Sequence, residues 1–383
     1  MAPIKTLSIF GTRPEAIKMA PLVRALKAHP QFESQVCVTA QHREMLDSVM
    51  DLFELTGDFD LDIMKPGQNL YGITSKMLLG LGEVIEKAKP DLVLVHGDTT
   101  TTFCGALAAF YGKVPVGHVE AGLRSGDKFS PYPEELNRKM VGQISSLHFA
   151  PTIQNKKNLQ AEGITEGVFV TGNTVIDAMG YTIAHFSGKF HNVLDTLDFT
   201  KQPVILLTCH RRENYGKPME EIFGAVKALA TKNPQIQVVY PVHPAPVVKE
   251  TANAILGNVA NIHLIEPLDT VQMHALMEKS YFVMTDSGGL QEEAPALGKP
   301  VLVLRKETER PEAIKAGTAV LAGICGEEIL KLAQALLDEP KGYQAMAQAV
   351  NPYGDGMASG RILDSILWHF GKCATPPEEF LPK

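Results

Sequence analysis

One stretch, TDSGGLQEEAPALGKPVLVLR at residues 285–305, constrains the fold more than any other part of the sequence. An apolar run from Tyr281 to Met284 predicts a buried strand, residues 286–289 predict a turn, and residues 290–297 predict a helix. A second apolar run begins after Pro300. The stretch therefore predicts a strand–helix–strand unit of a parallel sheet.

The turn in this unit is a candidate phosphate site. Ser287, Gly288 and Gly289 open the predicted helix, where the backbone can approach a ligand closely and free N–H groups favour an anion. Glu293 follows one turn later, where a carboxylate can reach the hydroxyl pair of a ribose. The alternative is a tight turn before a solvated acidic helix, because glycine-rich turns are common.

The alternation of apolar strands and helices recurs along the chain and predicts an α/β fold with two Rossmann-like domains. A length of 383 residues is consistent with two domains. The polar stretch 180–202 separates the halves, and a glycine-rich loop before the final amphipathic helix suggests that this helix crosses back onto the first domain. The predicted domains are residues 1–179 with 361–383, and residues 180–360.

Composition narrows the functional class. A net charge of −7 argues against a general nucleic-acid binder, and no apolar run approaches the ~18 residues of a membrane span. The N-terminus enters a strand without a signal-peptide pattern, and the five cysteines are scattered with neither a CxxC pair nor zinc spacing. We expect a cytoplasmic protein with reduced cysteines, no metal site and no membrane association.

Charged residues follow the strands of the first half. Arg13 and Lys18 lie near the start of the first helix, next to Gly11, and favour an anion there, although a merely charged surface helix is the alternative. Asp98 and Glu120 end two strands, and Glu134 begins a later helix.

The carboxyl ends of parallel strands share one edge, so Asp98, Glu120 and Glu134 should converge there. Their mutual repulsion and desolvation would suit them to acid–base work. Glu135, on another face of the helix, should tolerate replacement by glutamine.

Basic residues follow the strands of the second half. His210, Arg211 and Arg212 come directly after one strand, and His243 ends the next. A lone histidine after a strand is more often structural than catalytic, but His210 is followed by two arginines and would meet an anion. Met273 and Met277 are expected on the core face of a helix.

Taken together, these motifs resemble the non-hydrolysing UDP-N-acetylglucosamine 2-epimerases from end to end. The matching segments are GTRPEAIKMAP, TAQHREMLD, HGDTTT, GHVEAGLRSGD, PYPEELNR, TGNTVIDA, HRREN, PVHP, TDSGGLQEEAPALGKP, ETERPEA and NPYGDG. The resemblance implies a glycosyltransferase-B-like fold with the active site in a cleft between two Rossmann-like domains, the second of them UDP-binding. It also implies a homodimer, no metal and no nicotinamide cofactor, and the sequence has no GxGxxG fingerprint.

The resemblance also assigns roles by motif. It gives the chemistry to Arg13, Asp98, Glu120, Glu134 and His210. It gives contacts with UDP to Lys18, Ser287, Gly288, Gly289, Glu293, which would bind the ribose, and Arg310. Near the uracil it places Leu268 and Met273; many relatives have Tyr and Phe where this chain has Thr270 and Met273.

A regulatory site for a second UDP-N-acetylglucosamine occurs in some relatives. Its residues match Gln41, Glu134, Arg211 and His243. Two further positions differ, because Glu44 replaces a glutamine and Gly67 replaces an arginine.

The implied reaction is reversible epimerisation at C2 by elimination of UDP and its re-addition to a glycal, since no carbonyl acidifies the C2 proton. The sequence leaves open which carboxylate removes the proton and which returns it. A glycosyltransferase, a hydrolysing epimerase and a non-catalytic nucleotide-sugar sensor are the alternatives. The product would supply N-acetylmannosamine-type sugars for bacterial surface polysaccharide.

Overall fold

A computed structural model describes residues 2–39, 43–63, 68–190 and 192–382 of the chain. It divides into two compact units, Met1–Ala178 with Tyr353–Leu381, and Met179–Pro352 with Pro382–Lys383. In the described ranges, no helix is long and apolar enough to cross a membrane. The predicted α/β fold is confirmed, with one parallel sheet in each unit.

The first unit is built on a seven-stranded parallel sheet in the order β3-β2-β1-β4-β5-β6-β7. Its strands are β1 (Ile4–Phe10), β2 (Phe32–Val38), β3 (Phe59–Asp60), β4 (Leu92–His96), β5 (Val116–Val119), β6 (Leu147–Ala150) and β7 (Val168–Val170). Its helices are α1 (Arg13–Ala28), α2 (Arg43–Leu52), α3 (Leu70–Ala88), α4 (Thr100–Tyr111), α5 (Glu134–Ile144), α6 (Ile153–Ala161) and α7 (Thr174–Ala184), which continues past the unit boundary.

The second unit is built on a six-stranded parallel sheet in the order β10-β9-β8-β11-β12-β13. Its strands are β8 (Val204–Thr208), β9 (Gln237–Pro241), β10 (Ile262–Ile265), β11 (Phe282–Thr285), β12 (Val301–Val303) and β13 (Ala319–Leu321). Its helices are α8 (Lys217–Lys232), α9 (Pro246–Leu256), α10 (Thr270–Lys279), α11 (Leu290–Ala296), α12 (Pro311–Ala316), α13 (Gly326–Asp338) and α14 (Pro340–Ala347).

The strands next to the point where each sheet reverses its order include one that is buried on both faces. Every residue of β4 and of β8 is buried, as expected for strands covered by helices on both sides. The predicted strand at 281–284 and helix at 290–297 are observed as β11 and α11, with their bounds shifted by about one residue. In α10, Met277 is buried as expected, whereas Met273 is only half-buried.

The last helix, α15 (Ala358–His369), belongs to the first unit and packs against α1. Asp177 accepts hydrogen bonds from the backbone N–H groups of Ser359 at 2.8 Å and Ala358 at 3.2 Å, so its carboxylate lies at the start of α15. Gly172 has a φ of +85°, and a Cβ there would lie 3.2 Å from the Cα of Gly354. The close approach of these two backbones requires glycine.

In each sheet the strand order reverses at one point, between β1 and β4 in the first and between β8 and β11 in the second. Helices on opposite faces diverge at such a point and leave a crevice at the carboxyl ends of the strands, where α/β proteins bind ligands. The sequence-predicted residues Asp98 and Glu120 follow β4 and β5, while His210 follows β8 and Ser287 follows β11. We call these two points of reversed strand order the switch points. The candidate site residues of each unit follow strands at or next to its switch point.

Candidate functional site

The turn between β1 and α1 already contains a carboxylate of its own. Thr12 and Glu15 form a capping box, and Glu15 accepts hydrogen bonds from the backbone N–H groups of Gly11 at 2.9 Å and Thr12 at 2.7 Å. The hydroxyls of Thr99 and Thr102 donate to its other oxygen. Burial raises the pKa of Glu15, and these hydrogen bonds oppose the increase.

Glu15 changes the expected basis of anion binding at this turn. The sequence suggested that the backbone N–H groups and the dipole at the start of α1 would bind an anionic ligand. In the structure the carboxylate of Glu15 accepts these hydrogen bonds and lies at the positive end of the dipole. An external anion would therefore be held by the side chains of Arg13 and Lys18. Glu15 was not among the predicted site residues. The Thr-x-x-Glu spacing at 12–15 is the sequence signal that could have found it.

Glu120, after β5, is the centre of one cluster in the first unit. Its carboxylate forms an ion pair with Lys18 of α1 and accepts a hydrogen bond from Asn173 Nδ2 at 3.1 Å. His96 Nε2 lies 3.8 Å from the same oxygen. Glu120 also has a φ of +63°, a left-handed conformation that costs roughly 1–3 kcal/mol in a residue other than glycine. The fold therefore holds this carboxylate in a strained and fixed position.

Asp98, after β4, belongs to a second ion-paired cluster. Arg138 of α5 donates to Asp98 Oδ2 from Nε at 2.8 Å and lies 2.6 Å from it through Nη2. The same guanidinium donates to Glu135 at 3.1 Å. Asp98 and Glu120 therefore each face a cation, which differs from the expectation that mutual repulsion of carboxylates would dominate their environment.

Glu135, which was expected to tolerate replacement, is completely buried. Besides Arg138, it accepts hydrogen bonds from the backbone N–H groups of Ser125 at 3.0 Å and Gly126 at 3.3 Å. It thereby fixes both the 125–126 loop and the arginine that pairs with Asp98. These contacts argue against the expected tolerance of glutamine at this position, because α5 begins against this loop and the face that carries Glu135 is buried.

Glu134 is the first residue of α5 and is partly exposed. It lines a cavity of about 170 Å³ together with Thr99–Thr101 and the apolar side chains of Leu70 and Met77. The walls of this cavity thus combine threonine hydroxyls with apolar side chains. Such a lining can accommodate a small polar molecule.

Three histidines of the first sheet are buried. They are His96, His118 and His148, and they lie on the adjacent strands β4, β5 and β6. Burial lowers the pKa of His96 to about 4, of His118 to about 3 and of His148 to about 4. His118 Nε2 lies 2.7 Å from the carbonyl oxygen of Gly97. All three imidazoles are therefore neutral at pH 7.

His210 is the centre of the site in the second unit. Its Nδ1 lies 3.4 Å from Oδ1 of the fully buried Asp286, which follows β11. Its ring stacks on His243 with 5.4 Å between ring centroids and 10° between planes. Burial lowers the pKa of His210, the carboxylate of Asp286 opposes that effect, and His243 and Arg211 add to the lowering.

The Ser287–Gly289 turn lies between two guanidinium groups. A Cβ built on Gly288 would lie 3.7 Å from Arg211 Nη2 and 3.9 Å from Arg310 Nη2. Arg310 is held by an ion pair with buried Glu292, and Arg211 Nε is buried without a hydrogen-bond partner among the described residues. A group bound at this turn would meet two cations, which suits a phosphate.

Glu293, the predicted ribose contact, is the first residue in a chain of polar contacts that continues to buried His274 and Thr182. His274 Nε2 lies 3.4 Å from Glu293 Oε2, and His274 Nδ1 lies 2.6 Å from the hydroxyl of Thr182. Nothing in the sequence around His274 marks it as a site residue. It lies in α10, 19 residues before Glu293 in the chain, and the two side chains meet only in the fold.

The remaining predicted residues lie as follows. Leu268, in the segment between β10 and α10, and Met273, in α10, are both half-buried. Of the residues matched to the regulatory site, His243 stacks on His210 and Arg211 lies beside the 287–289 turn. Gln41 lies outside the described residues. In the part of the chain that the structure describes, no group of three or more His, Cys, Asp or Glu is arranged to hold a metal ion.

The chain is similar to known proteins over its full length. A family model described as UDP-N-acetylglucosamine 2-epimerase matches residues 24–367. The UDP-N-acetylglucosamine 2-epimerase of Bacillus subtilis is 55% identical over 384 residues, covering 100% of both chains, and that of Escherichia coli is 52% identical over 370 residues, covering 95% of this chain and 98% of the other.

A solved structure of the UDP-GlcNAc 2-epimerase from Neisseria meningitidis, bound to UDP-GlcNAc, is also similar. It has 48% sequence identity and a TM-score of 0.87, and the match covers 95% of this chain and 100% of that chain.

Glu135→Gln should lower the free energy of unfolding by about 1–3 kcal/mol, because the glutamine amide cannot accept all three hydrogen bonds and leaves a buried donor unpaired. Urea denaturation of the whole chain measures this change. The neighbouring Glu134→Gln variant is the control, and its partly exposed side chain should keep stability within about 0.5 kcal/mol. Equal denaturation curves for the two variants would contradict the assignment.

Proposed function

Since the chain belongs to the UDP-N-acetylglucosamine 2-epimerase family, a family of isomerases, we propose that it interconverts UDP-N-acetylglucosamine and UDP-N-acetylmannosamine. The observation that carries the proposal is the full-length similarity to these enzymes. The charged clusters at the two switch points support it, because one presents carboxylates and the other presents cations. We also propose that the product supplies bacterial surface polysaccharide.

We propose that UDP is held by the second unit. The 287–289 turn with Arg211 and Arg310 would bind the diphosphate, and Glu293 would accept hydrogen bonds from the ribose hydroxyls. Met273, half-buried in α10, would pack on the uracil, as a methionine side chain can pack on an aromatic ring.

We propose that the reaction proceeds by elimination. A carboxylate removes the C2 proton, the C2–H electron pair forms a C1–C2 double bond, and the C1–O pair leaves with UDP. His210 and the nearby arginines stabilise the negative charge that develops on the diphosphate oxygen. Re-addition of UDP, with a proton delivered to the opposite face of C2, gives the epimer.

Asp98, Glu120 and Glu134 would perform the proton transfers. Ion pairs with Arg138 and Lys18 hold Asp98 and Glu120 in place.

The elimination route predicts two isotope-labelling results when the purified protein is incubated with UDP-N-acetylglucosamine alone. In deuterated water, both sugars should gain deuterium at C2. In substrate labelled with ¹⁸O in the C1–O–P bridge, the label should move to non-bridging positions. Mass spectrometry and ³¹P NMR measure these changes.

Each alternative gives a different result in the same incubation. Deuterium at C2 without movement of the bridge oxygen would reject cleavage of the C1–O bond. Release of free N-acetylmannosamine would instead identify a hydrolysing enzyme, and sugar transfer that requires an added acceptor would identify a glycosyltransferase.

Replacing a proton-transferring carboxylate with its amide should lower turnover by ~10²–10⁴-fold. We expect this for Asp98→Asn, Glu120→Gln and Glu134→Gln, with a much smaller change in UDP affinity measured by calorimetry. Glu86→Gln, at an exposed position of α3, is the matched control and should turn over normally. Normal turnover of all three amide variants would exclude the proposed mechanism.

We further propose that the protein is a homodimer, as the resemblance implies. Large apolar side chains are exposed on α3 and α4, which pack together: Tyr71 is 87% exposed, Leu79 71%, Phe110 60% and Tyr111 66%. Exposed apolar side chains grouped in this way are typical of protein interfaces. A second copy of the chain is the occupant that we propose.

Sedimentation velocity should give a mass twice the chain mass of 41.7 kDa, and Leu79→Glu with Phe110→Glu should shift it to the monomer. The exposed Glu328→Gln variant on α13 should leave the mass unchanged. A monomer in the unmodified protein would reject the proposed dimer.

A further inference from the structure

The buried carboxylate of Asp286 makes different contacts with its two oxygens. Oδ2 accepts hydrogen bonds from the backbone N–H groups of His210 and Arg211, both at 2.8 Å, and from Asn214 Nδ2 at 3.0 Å. These donors all belong to the segment that follows β8, so one oxygen of Asp286 ties the end of β11 to that segment.

The other oxygen is directed at a ring. Asp286 Oδ1 is buried and has no hydrogen-bond partner within the described ranges, and it lies 3.4 Å from His210 Nδ1. One ring carbon separates Nδ1 from Nε2, and the two nitrogens point in diverging directions, so a contact of Nδ1 with Asp286 leaves Nε2 for another partner. The His210 side chain is 36% exposed, which leaves its outer edge open to a ligand.

We propose that Asp286 is a positioning residue that orients His210 and stabilises a positive charge on it while UDP leaves. This inference deepens the proposed function and rests on it. When the imidazole is neutral, the carboxylate favours the tautomer with hydrogen on Nδ1, so Nε2 carries a lone pair. Proton uptake at Nε2 then gives a cation that donates to a phosphate oxygen while Nδ1–H faces Asp286.

The charged and titratable groups around His210 come from several elements. Asp286 follows β11, His243 follows β9, and Arg211 is the next residue in the chain. The thiol of Cys209 and the hydroxyl of Tyr240 are also close, but burial raises the pKa of both, so they stay neutral. Among these described neighbours, Asp286 is an anion that favours a positive charge on the ring. The cation Arg211 and the titratable His243 disfavour that charge.

The positive charge on His210 acts in the step in which the C1–O bond breaks and its electron pair moves to the diphosphate oxygen. No proton has to leave the histidine in that step, because the imidazolium acts by electrostatic attraction to the oxygen that becomes negative. The alternative is that Asp286 is only an anchor for the 210–214 segment. The two possibilities differ in what happens to the protonation of His210.

Asp286→Asn separates these possibilities. The asparagine oxygen can keep the three hydrogen bonds of Oδ2, while its amide nitrogen replaces Oδ1 and donates to His210 Nδ1. The segment then stays anchored, but the ring is held in the opposite tautomer and its charge is disfavoured. We expect the pKa of His210 to fall by about 1–3 units, the shift typical of losing one close opposite charge.

Two-dimensional NMR of the ¹⁵N-histidine-labelled whole protein, with the His210→Gln variant to assign the signal, measures this pKa with and without UDP. In parallel, the alkaline limb of the pH profile of kcat should move to lower pH in Asp286→Asn, with kcat reduced more than KM is raised. Asp177→Asn, another buried aspartate that accepts backbone hydrogen bonds, is the matched control and should leave the His210 titration unchanged.

The unmodified protein provides a test that no variant can confound. Its neutral His210 should carry hydrogen on Nδ1, which the ¹⁵N chemical shifts report; hydrogen on Nε2 would overturn the proposal. An unchanged His210 titration in a folded Asp286→Asn protein would also overturn it, leaving Asp286 as an anchor. These spectra need no turnover, so failure of the proposed epimerase activity would be seen separately in the product assay.

Discussion

Each site depends on the pairing of a carboxylate at the end of a buried strand. A charge removed from water is costly unless it is paired and hydrogen-bonded, and the chain meets this requirement in three ways. Glu120 is paired with Lys18, Asp98 with Arg138, and Asp286 with backbone N–H groups. In every case the partner comes from an element distant in sequence. The same contacts that allow Asp286 to be buried, and Asp98 and Glu120 to be partly buried, therefore also fix the loops around them.

The two units use one architecture for opposite electrostatic purposes. Parallel strands bring the loops that follow them to one edge of each sheet, and α/β proteins bind ligands where the strand order reverses. In the first unit Asp98 and Glu120 follow the adjacent strands β4 and β5 at that edge. In the second unit Arg211 and Arg310 flank the 287–289 turn. The proposed reaction requires both kinds of environment, because in it the diphosphate is an anion and the sugar carbon loses and regains a proton.

The sequence was sufficient for the fold and for the residues that directly follow strands. Uninterrupted apolar runs predicted the parallel sheets, and Asp98, Glu120, His210 and Ser287 were recognised because each ends such a run. The residues that support them were missed or misjudged, since their partners are far away in the chain. Glu135 was expected to tolerate replacement although it is buried against a loop, and His274 reaches Glu293 only through packing. Local pattern reveals where a strand ends, but it does not reveal which side chain will be packed beneath that end.

The left-handed backbone at Glu120 has a consequence for how this protein can be engineered. Glycine adopts a φ of +63° without strain, whereas a longer residue does so at a cost. A designer who optimised thermostability from the backbone alone would choose glycine at position 120 and would remove the carboxylate that pairs with Lys18. Backbone strain thus favours glycine at this position, whereas the ion pair with Lys18 and the proposed proton transfer require the carboxylate. A campaign for a hardier enzyme should leave position 120 untouched and seek its gains on the outer helices.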